Sequence, residues 1–464
     1  MAWTPLDNRT TSSTMSHPTL TSEILAPIIA SLGEANRAFV ETYPGESDRR
    51  QAVHTVYGGA HLFMAGTTGK LGEVALRSLR DFAPSAADLT RILGADWVPQ
   101  FAEKLYARIV EKLGREPIED FRLDFEDGYG NRTDSEEDGH AIQSARQVAT
   151  GLASGSLPPF IGIRIKPFNE DLRERAIRTL DIFITTLVGE TGGKLPENFV
   201  VTLPKVQLAA QVTAAAAILS LLEEKLELAH GSIPIEPMIE TPQSIIDRQG
   251  NCPLLGIVQA AEGRCRSVHF GVYDYTASSG ITAAYQAMGH PTCDFARAHM
   301  IVSLAGTGVH LSDGATNILP VAPHRGESLT PEQVARNFEA VHGAWMLGYR
   351  DNLHSLKNGI YQGWDLHPAQ LVARYAAVYS FFLEGLDAAS GRLKAFVEKA
   401  ALASLFGDVF DDAATGQGLL NFFLRGIACG AITEAEALET GLSVEEIRSR
   451  SFYKILTGRR NLPN

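Results

Sequence analysis

The chain has 464 residues, with 41 Lys and Arg against 54 Asp and Glu, a formal net charge of −13. Hydrophobic residues make up 45% and charged residues 20%, which predicts a sizeable core and excludes a disordered chain. An acidic balance without a long basic run excludes nucleic acid and anionic membranes as partners held by charge. The scattered cysteines Cys252, Cys265, Cys293 and Cys429 form no CxxC pair and read as free thiols of a reducing compartment. No apolar signal core and no long apolar span is evident, so a cytoplasmic protein is expected.

In chain order, residues 1–20 are rich in Thr and Ser and read as a frayed tail. Residues 21–42 open with capping residues and continue at helical apolar spacing. A first strand is expected at His54–Phe63, and helices fill 69–115. Further strands are expected at 121–126, 159–165, 199–203, 234–239, 268–273, 306–311 and 363–367. Helical patterns such as 171–187, 207–228 and 331–342 separate them. Alternating strands and helices imply parallel βαβ units. The fold class is therefore α/β: a (β/α)8 TIM barrel with N-terminal helices over residues 21–368. From 369 to 456 the pattern holds no convincing strand, and helices including 390–406 predict a helical C-terminal domain over 369–464.

Four strand segments end in polar chemistry: Leu-Asp-Phe-Glu-Asp (123–127), Ile-Arg-Ile-Lys-Pro (163–167), Met-Ile-Glu-Thr (238–241) and Phe-Gly-Val-Tyr-Asp-Tyr (270–275). Each carries an apolar run of the kind a parallel strand buried on both faces requires. Strands of common polarity would gather Glu126, Asp127, Arg164, Glu240 and Asp274 at one barrel mouth. Glu240 and Asp274 could there bind a hard cation such as Mg²⁺, or each could cap the helix after its strand. Arg164 needs an anion, either a substrate or Asp124 or Glu126. Lys166 and Lys205 could form a Schiff base or neutralise the acids. His367 either faces the site or is a satisfied core histidine. Gly66–Lys70 lacks the spacing of a phosphate loop. In Phe410–Thr415, Asp411 or Asp412 could simply cap the helix beginning near Ala413.

Taken in order, Asp-Phe-Glu-Asp, the arginine of the next strand, Leu-Pro-Lys-Val, Ile-Glu-Thr, Gly-x-x-Asp and a late His-Pro resemble one superfamily over roughly 120–370. It is the citrate lyase β-subunit/HpcH–HpaI aldolase group, which includes the malate synthases. The resemblance implies Mg²⁺, or Mn²⁺, on Glu240 and Asp274, and Arg164 on the carbonyl or enolate oxygen. It also implies that Glu126 and Asp127 hold metal-bound water. Asp411-Asp412-Ala-Ala-Thr415 is similar to the Glu-Asp-Ala-Ala-Thr of malate synthases, which makes Asp412 the counterpart of their catalytic base. Gly271-Val-Tyr-Asp-Tyr275 is similar to their Gly-Arg-Trp-Asp-Tyr, with Val272 replacing the arginine. The first-strand arginine/proline pattern of many lyase relatives is absent, and the chain is shorter than typical malate synthases.

The implied function is a malate-synthase-like condensation of glyoxylate with acetyl-CoA, with Lys205 and His367 as further substrate contacts. Cleavage of a hydroxyacyl-CoA or a 4-hydroxy-2-oxo acid by a lyase is the alternative, and a non-catalytic carboxylate or acyl-CoA sensor a third. The expected partners are a small 2-oxo or hydroxy acid, a CoA thioester and further copies of the chain.

Overall fold

The computed structural model describes residues 20–45, 47, 49–398, 404–406, 409–411, 413–452, 454–455 and 458. The expected N-terminal tail therefore lies outside the described residues, apart from residue 20. Eight parallel strands close into a barrel in sequence order, with β8 hydrogen-bonded back to β1. They are β1 (His54–Gly59), β2 (Asp120–Asp124), β3 (Phe160–Arg164), β4 (Phe199–Leu203), β5 (Ile235–Ile239), β6 (Ser267–Phe270), β7 (His310–Ala315) and β8 (Gln362–Asp365).

The strands are buried on both faces, but their two faces differ in chemistry. On the helix-facing side Phe121, Leu123, Ile161, Ile163, Val201, Ile235, Ile239, Val268 and Phe270 pack into the apolar core. Strand alternation sends every other residue into the barrel. There Thr55, Asp120, Arg122, Thr202, Glu236, Ser267 and Gln362 hydrogen-bond to one another. The barrel interior is thus a polar network, in place of the branched aliphatic layers usual in this architecture. Glycine makes room for it: a Cβ on Gly162 would collide with the β4 backbone at Val200.

Two strand expectations shift. β7 begins at His310 rather than near 306, after a turn with positive φ at Gly306 (76°) and Gly308 (74°). The segment 268–273 stops at Phe270, because Gly271 turns the chain into the short helix Val272–Ser278.

The helix α1 (Ser22–Thr42) precedes the barrel, capped by the Thr21 side chain, and none of its residues is buried. After β8 a long helix runs from Leu371 to Glu398, and the helix Ala413–Ala428 packs against it through Phe382 and Phe422. Between them Ser404–Phe406 and Val409–Asp411 form a two-stranded antiparallel sheet, where the sequence pattern had suggested helix through 406. Among the described residues no helix is long and apolar enough to cross a membrane.

Candidate active site

The site is built at the carboxyl ends of β2 to β6. Asp124 closes β2, Arg164 closes β3, Lys205 and Glu240 follow β4 and β5 by one or two residues, and Asp274 lies in the first turn of Val272–Ser278. Register sets Asp124 directly beside Arg164. The guanidinium is 1% exposed and donates to both oxygens of Asp124, Nε to Oδ1 at 2.7 Å and Nη2 to Oδ2 at 2.5 Å. Asp124 is itself fixed by the backbone N–H groups of Glu126 (3.0 Å) and Gly128 (2.7 Å). A Cβ on Gly128 would run into that carboxylate.

The remaining nitrogen, Nη1, lies 3.1 Å from Glu126 Oε2 and 3.8 Å from Asp127 Oδ2. The rings of Tyr57 and Trp364 lie against the guanidinium, at 4.7 and 5.5 Å from their centroids. Burial disfavours the charge on Arg164, yet Asp124 and Glu126 outweigh it and hold the arginine firmly protonated.

Lys205 adopts a left-handed backbone conformation with φ 52°, uncommon for a residue with a side chain. That turn aims its N–H at Glu240 Oε1, 2.6 Å away. Its ammonium pairs with Glu126 and reaches Asp274 Oδ2 at 3.3 Å and Asp127 Oδ2 at 3.5 Å. Burial pulls its pKa down, but Glu126, Glu240 and Asp127 raise it overall. Glu240 is 1% exposed, and burial followed by repulsion from Asp274 pushes its carboxyl up to about 8. Burial likewise raises Glu126, opposed by Arg164 and reinforced by Asp127. A Cβ on Gly271 would collide with the Glu240 carboxylate, so glycine is needed where the chain leaves β6.

Glu126, Asp127, Arg164, Lys205, Glu240 and Asp274 are thus brought together. Asp274 sits on a helix rather than at a strand end, because Gly271 ends β6 early. His367 is not joined to them by any hydrogen bond or ion pair among the described residues. Its Nδ1 accepts from Ala369 N at 3.2 Å, capping a short 3-10 turn, and burial lowers its pKa. Lys166 points away, to Glu137 (2.6 Å) and the Phe125 carbonyl (2.8 Å), which leaves it no Schiff-base role. Asp412 lies outside the described residues.

The ion pair of Arg164 with Asp124 is one of the alternatives the sequence left open, whereas Tyr57 and Trp364 escape a search for motifs. The signal for them is inward alternation: Tyr57 and Trp364 share the inner face with Thr55 and Gln362 on their own strands. Clefts of about 550 and 350 Å³ open at the other end of the barrel around Arg49 and Arg266, and none of the mouth residues lines them. No group of three or more His, Cys, Asp or Glu among the described residues forms a ready-made metal cage.

A family model described as a domain of unknown function, DUF6986, matches residues 32–455. No curated protein sequence matches the chain. A solved citrate lyase from Burkholderia xenovorans LB400 is 18% identical with a TM-score of 0.51, covering 73% of this chain and 92% of that one. It shares the barrel fold. CitE from Mycobacterium tuberculosis, solved with magnesium, acetoacetate and coenzyme A, is 15% identical over 83% of this chain and 100% of its own, at a TM-score of 0.45. A magnesium/glyoxylate complex of Haloferax volcanii malate synthase is 14% identical over 90% and 100%, at 0.42.

Proposed function

We propose that this chain, which belongs to the DUF6986 family, is a divalent-cation-dependent enzyme that makes or breaks a carbon–carbon bond beside the carbonyl of a 2-oxo acid. The observation that carries the reading is a surplus of negative charge at the barrel mouth. Five carboxylates, Asp124, Glu126, Asp127, Glu240 and Asp274, converge on two cations, Arg164 and Lys205. Glu240 is driven toward its neutral form first by burial and then by repulsion from Asp274. Such a pair fits Mg²⁺ or Mn²⁺, which take one or two protein carboxylates and complete their shell with water and substrate oxygens. Glu240 and Asp274 would hold the ion, and its chemistry when bound is Lewis-acid polarisation of the substrate carbonyl.

The chain's own groups would do the rest. Arg164 is locked by Asp124 through Nε and Nη2, and Nη1, which lies 3.1 Å from Glu126 Oε2, would stabilise negative charge developing on the substrate oxygen. Tyr57 and Trp364 shield that guanidinium from water, which strengthens the interaction. Lys205, about one-third exposed, would bind the substrate carboxylate. The preferred reaction is condensation of glyoxylate with acetyl-CoA, in which Asp412 takes the methyl proton of the thioester. Cleavage of a hydroxyacyl-CoA or a 4-hydroxy-2-oxo acid is favoured by a separate observation. Glu126, its pKa raised by burial, offers a proton acceptor within the barrel itself.

The test incubates the enzyme with Mg²⁺, acetyl-CoA and either glyoxylate or pyruvate, and monitors thiol release. Asp412→Ala should abolish a condensation and spare a cleavage. Absence of thiol release together with cleavage of a hydroxy-oxo acid would overturn the condensation. No Mg²⁺-dependent turnover of either kind would point to the sensor.

A further inference from the structure

The helix α1 stands apart from the barrel although it is strongly apolar. Ile24, Ile28, Ile29, Leu32, Phe39 and Val40 are each between 57% and 61% exposed. A helix in a protein ordinarily draws most of its stability from packing of one face. The barrel supplies no such packing, since no α1 residue is buried. At its far end Tyr43 N–H closes the last turn on the Phe39 carbonyl, and just beyond it the chain is tied down by Gly45 N–H donating to the Gly306 carbonyl, both at 2.8 Å.

The spacing of its apolar residues identifies what covers it. Leu25, Ile28, Leu32, Ala35 and Phe39 recur at intervals of three and four, the a and d positions of a heptad. Ile24 and Ile29 flank this seam on either side and widen it. Every charge of the helix, on Glu23, Glu34, Arg37 and Glu41, falls at the c and f positions on the opposite side. Pro27 also takes a c position, so the backbone hydrogen bond it removes lies away from the seam.

We propose that α1 is an association arm, which packs its seam against α1 of a second copy of this chain. A repeat of 3.5 residues winds two helices around each other with the seam kept in register. Charge does not oppose a like partner on this face. Each chain carries −13, which resists association elsewhere, whereas the seam brings no two like charges together. The area suffices as well. One half of a helix about 31 Å long and 10 Å wide presents about 500 Å², and two copies bury about 1,000 Å², where specific interfaces begin.

Sedimentation equilibrium of the full chain at micromolar concentration tests the arm. The wild type should have the mass of at least two chains. Ile28→Glu combined with Leu32→Glu should weaken association at least hundredfold and give the mass of one chain, with the thermal melt unchanged. Glu34→Gln, on the back of the helix, should keep the wild-type mass. Should the charged variant misfold, Ile28→Ala with Leu32→Ala gives a milder reading, an association constant reduced at least tenfold. A wild type with the mass of one chain overturns the proposal, as does an associated state that both seam variants leave intact. Flotation of a single-chain wild type with phosphatidylcholine vesicles would assign the face to lipid and overturn it equally.

Discussion

Two arginines on neighbouring strands, Arg122 and Arg164, are buried in the same barrel among carboxylates, with opposite outcomes. Near the amino ends of the strands, Arg122 pairs with Asp120 and lies 3.4 Å from Glu236. The hydroxyls of Thr55, Thr202 and Ser267 donate to the acid oxygens, so the network closes on itself. At the carboxyl ends, Arg164 is just as tightly held, but the surplus is larger, five acids to two cations where the closed network has two to one, and Asp127 and Asp274 open to solvent. The contrast shows in two buried carboxyls, both raised foremost by burial. Asp120 reaches about 6 because Arg122 then pulls it down, whereas Glu240 reaches about 8 because Asp274 pushes it further. Burying an arginine among acids therefore does not by itself make a site. A charge surplus at an open rim does.

The largest effects should separate the two ends by what they damage. Glu240→Gln should lower Mg²⁺-dependent turnover by about 10³-fold or more, the several kcal/mol that a Lewis acid contributes. Stability in urea should change little. Retained turnover in Glu240→Gln would dissolve the distinction between the ends. Asp124→Asn acts on both activity and stability, because it leaves a buried guanidinium short of its anion. A loss of about 3–5 kcal/mol in urea unfolding is expected, as for broken buried pairs.

A pH experiment probes the closed network between them. His269 is fully buried, and burial, followed by Arg122 and Arg164, holds it neutral down to about 4 against opposition from Glu236. The unfolded histidine takes up its proton near 6.5, so in that window the unfolded chain binds the extra proton and acid favours unfolding. Stability should fall as pH drops from 6.5 toward 4, by up to about 3 kcal/mol from this residue. His269→Gln should flatten that part of the profile in urea titrations, and an unchanged slope would assign it elsewhere.

Much of this was legible in the sequence, and the misses have physical causes. The barrel follows from eight strands alternating with helices, and the motif order gathers Glu126, Arg164, Lys205, Glu240 and Asp274. Reading the strands as apolar runs missed the polar interior, because Asp120 and Arg122 alternate with Phe121 and Leu123. The inner residues are buried by one another, so burial does not make them apolar. His367 was read as facing the site or as a satisfied core histidine, and its Nδ1 is taken up in a cap. The place of Asp274 depends on Gly271, whose missing side chain ends β6 beside Glu240. A strand pattern does not register a close approach of that kind.

The smallest effect is expected where the two ends meet, at Tyr57. Its hydroxyl lies 3.3 Å from His269 Nδ1 in the closed network, while its ring stacks on Arg164 at the mouth. Tyr57→Phe keeps the ring and deletes the hydroxyl, so it should cost about 1 kcal/mol in stability and leave turnover within about threefold. Tyr57→Leu deletes the ring as well, and should cost about 2 kcal/mol more through the lost contact with a desolvated guanidinium. That second loss should appear in turnover too, since water then reaches the group meant to hold the developing charge. If Tyr57→Phe lowers turnover as far as Tyr57→Leu does, the hydroxyl couples the two ends, and the network around Arg122 and Glu236 belongs to the chemistry after all.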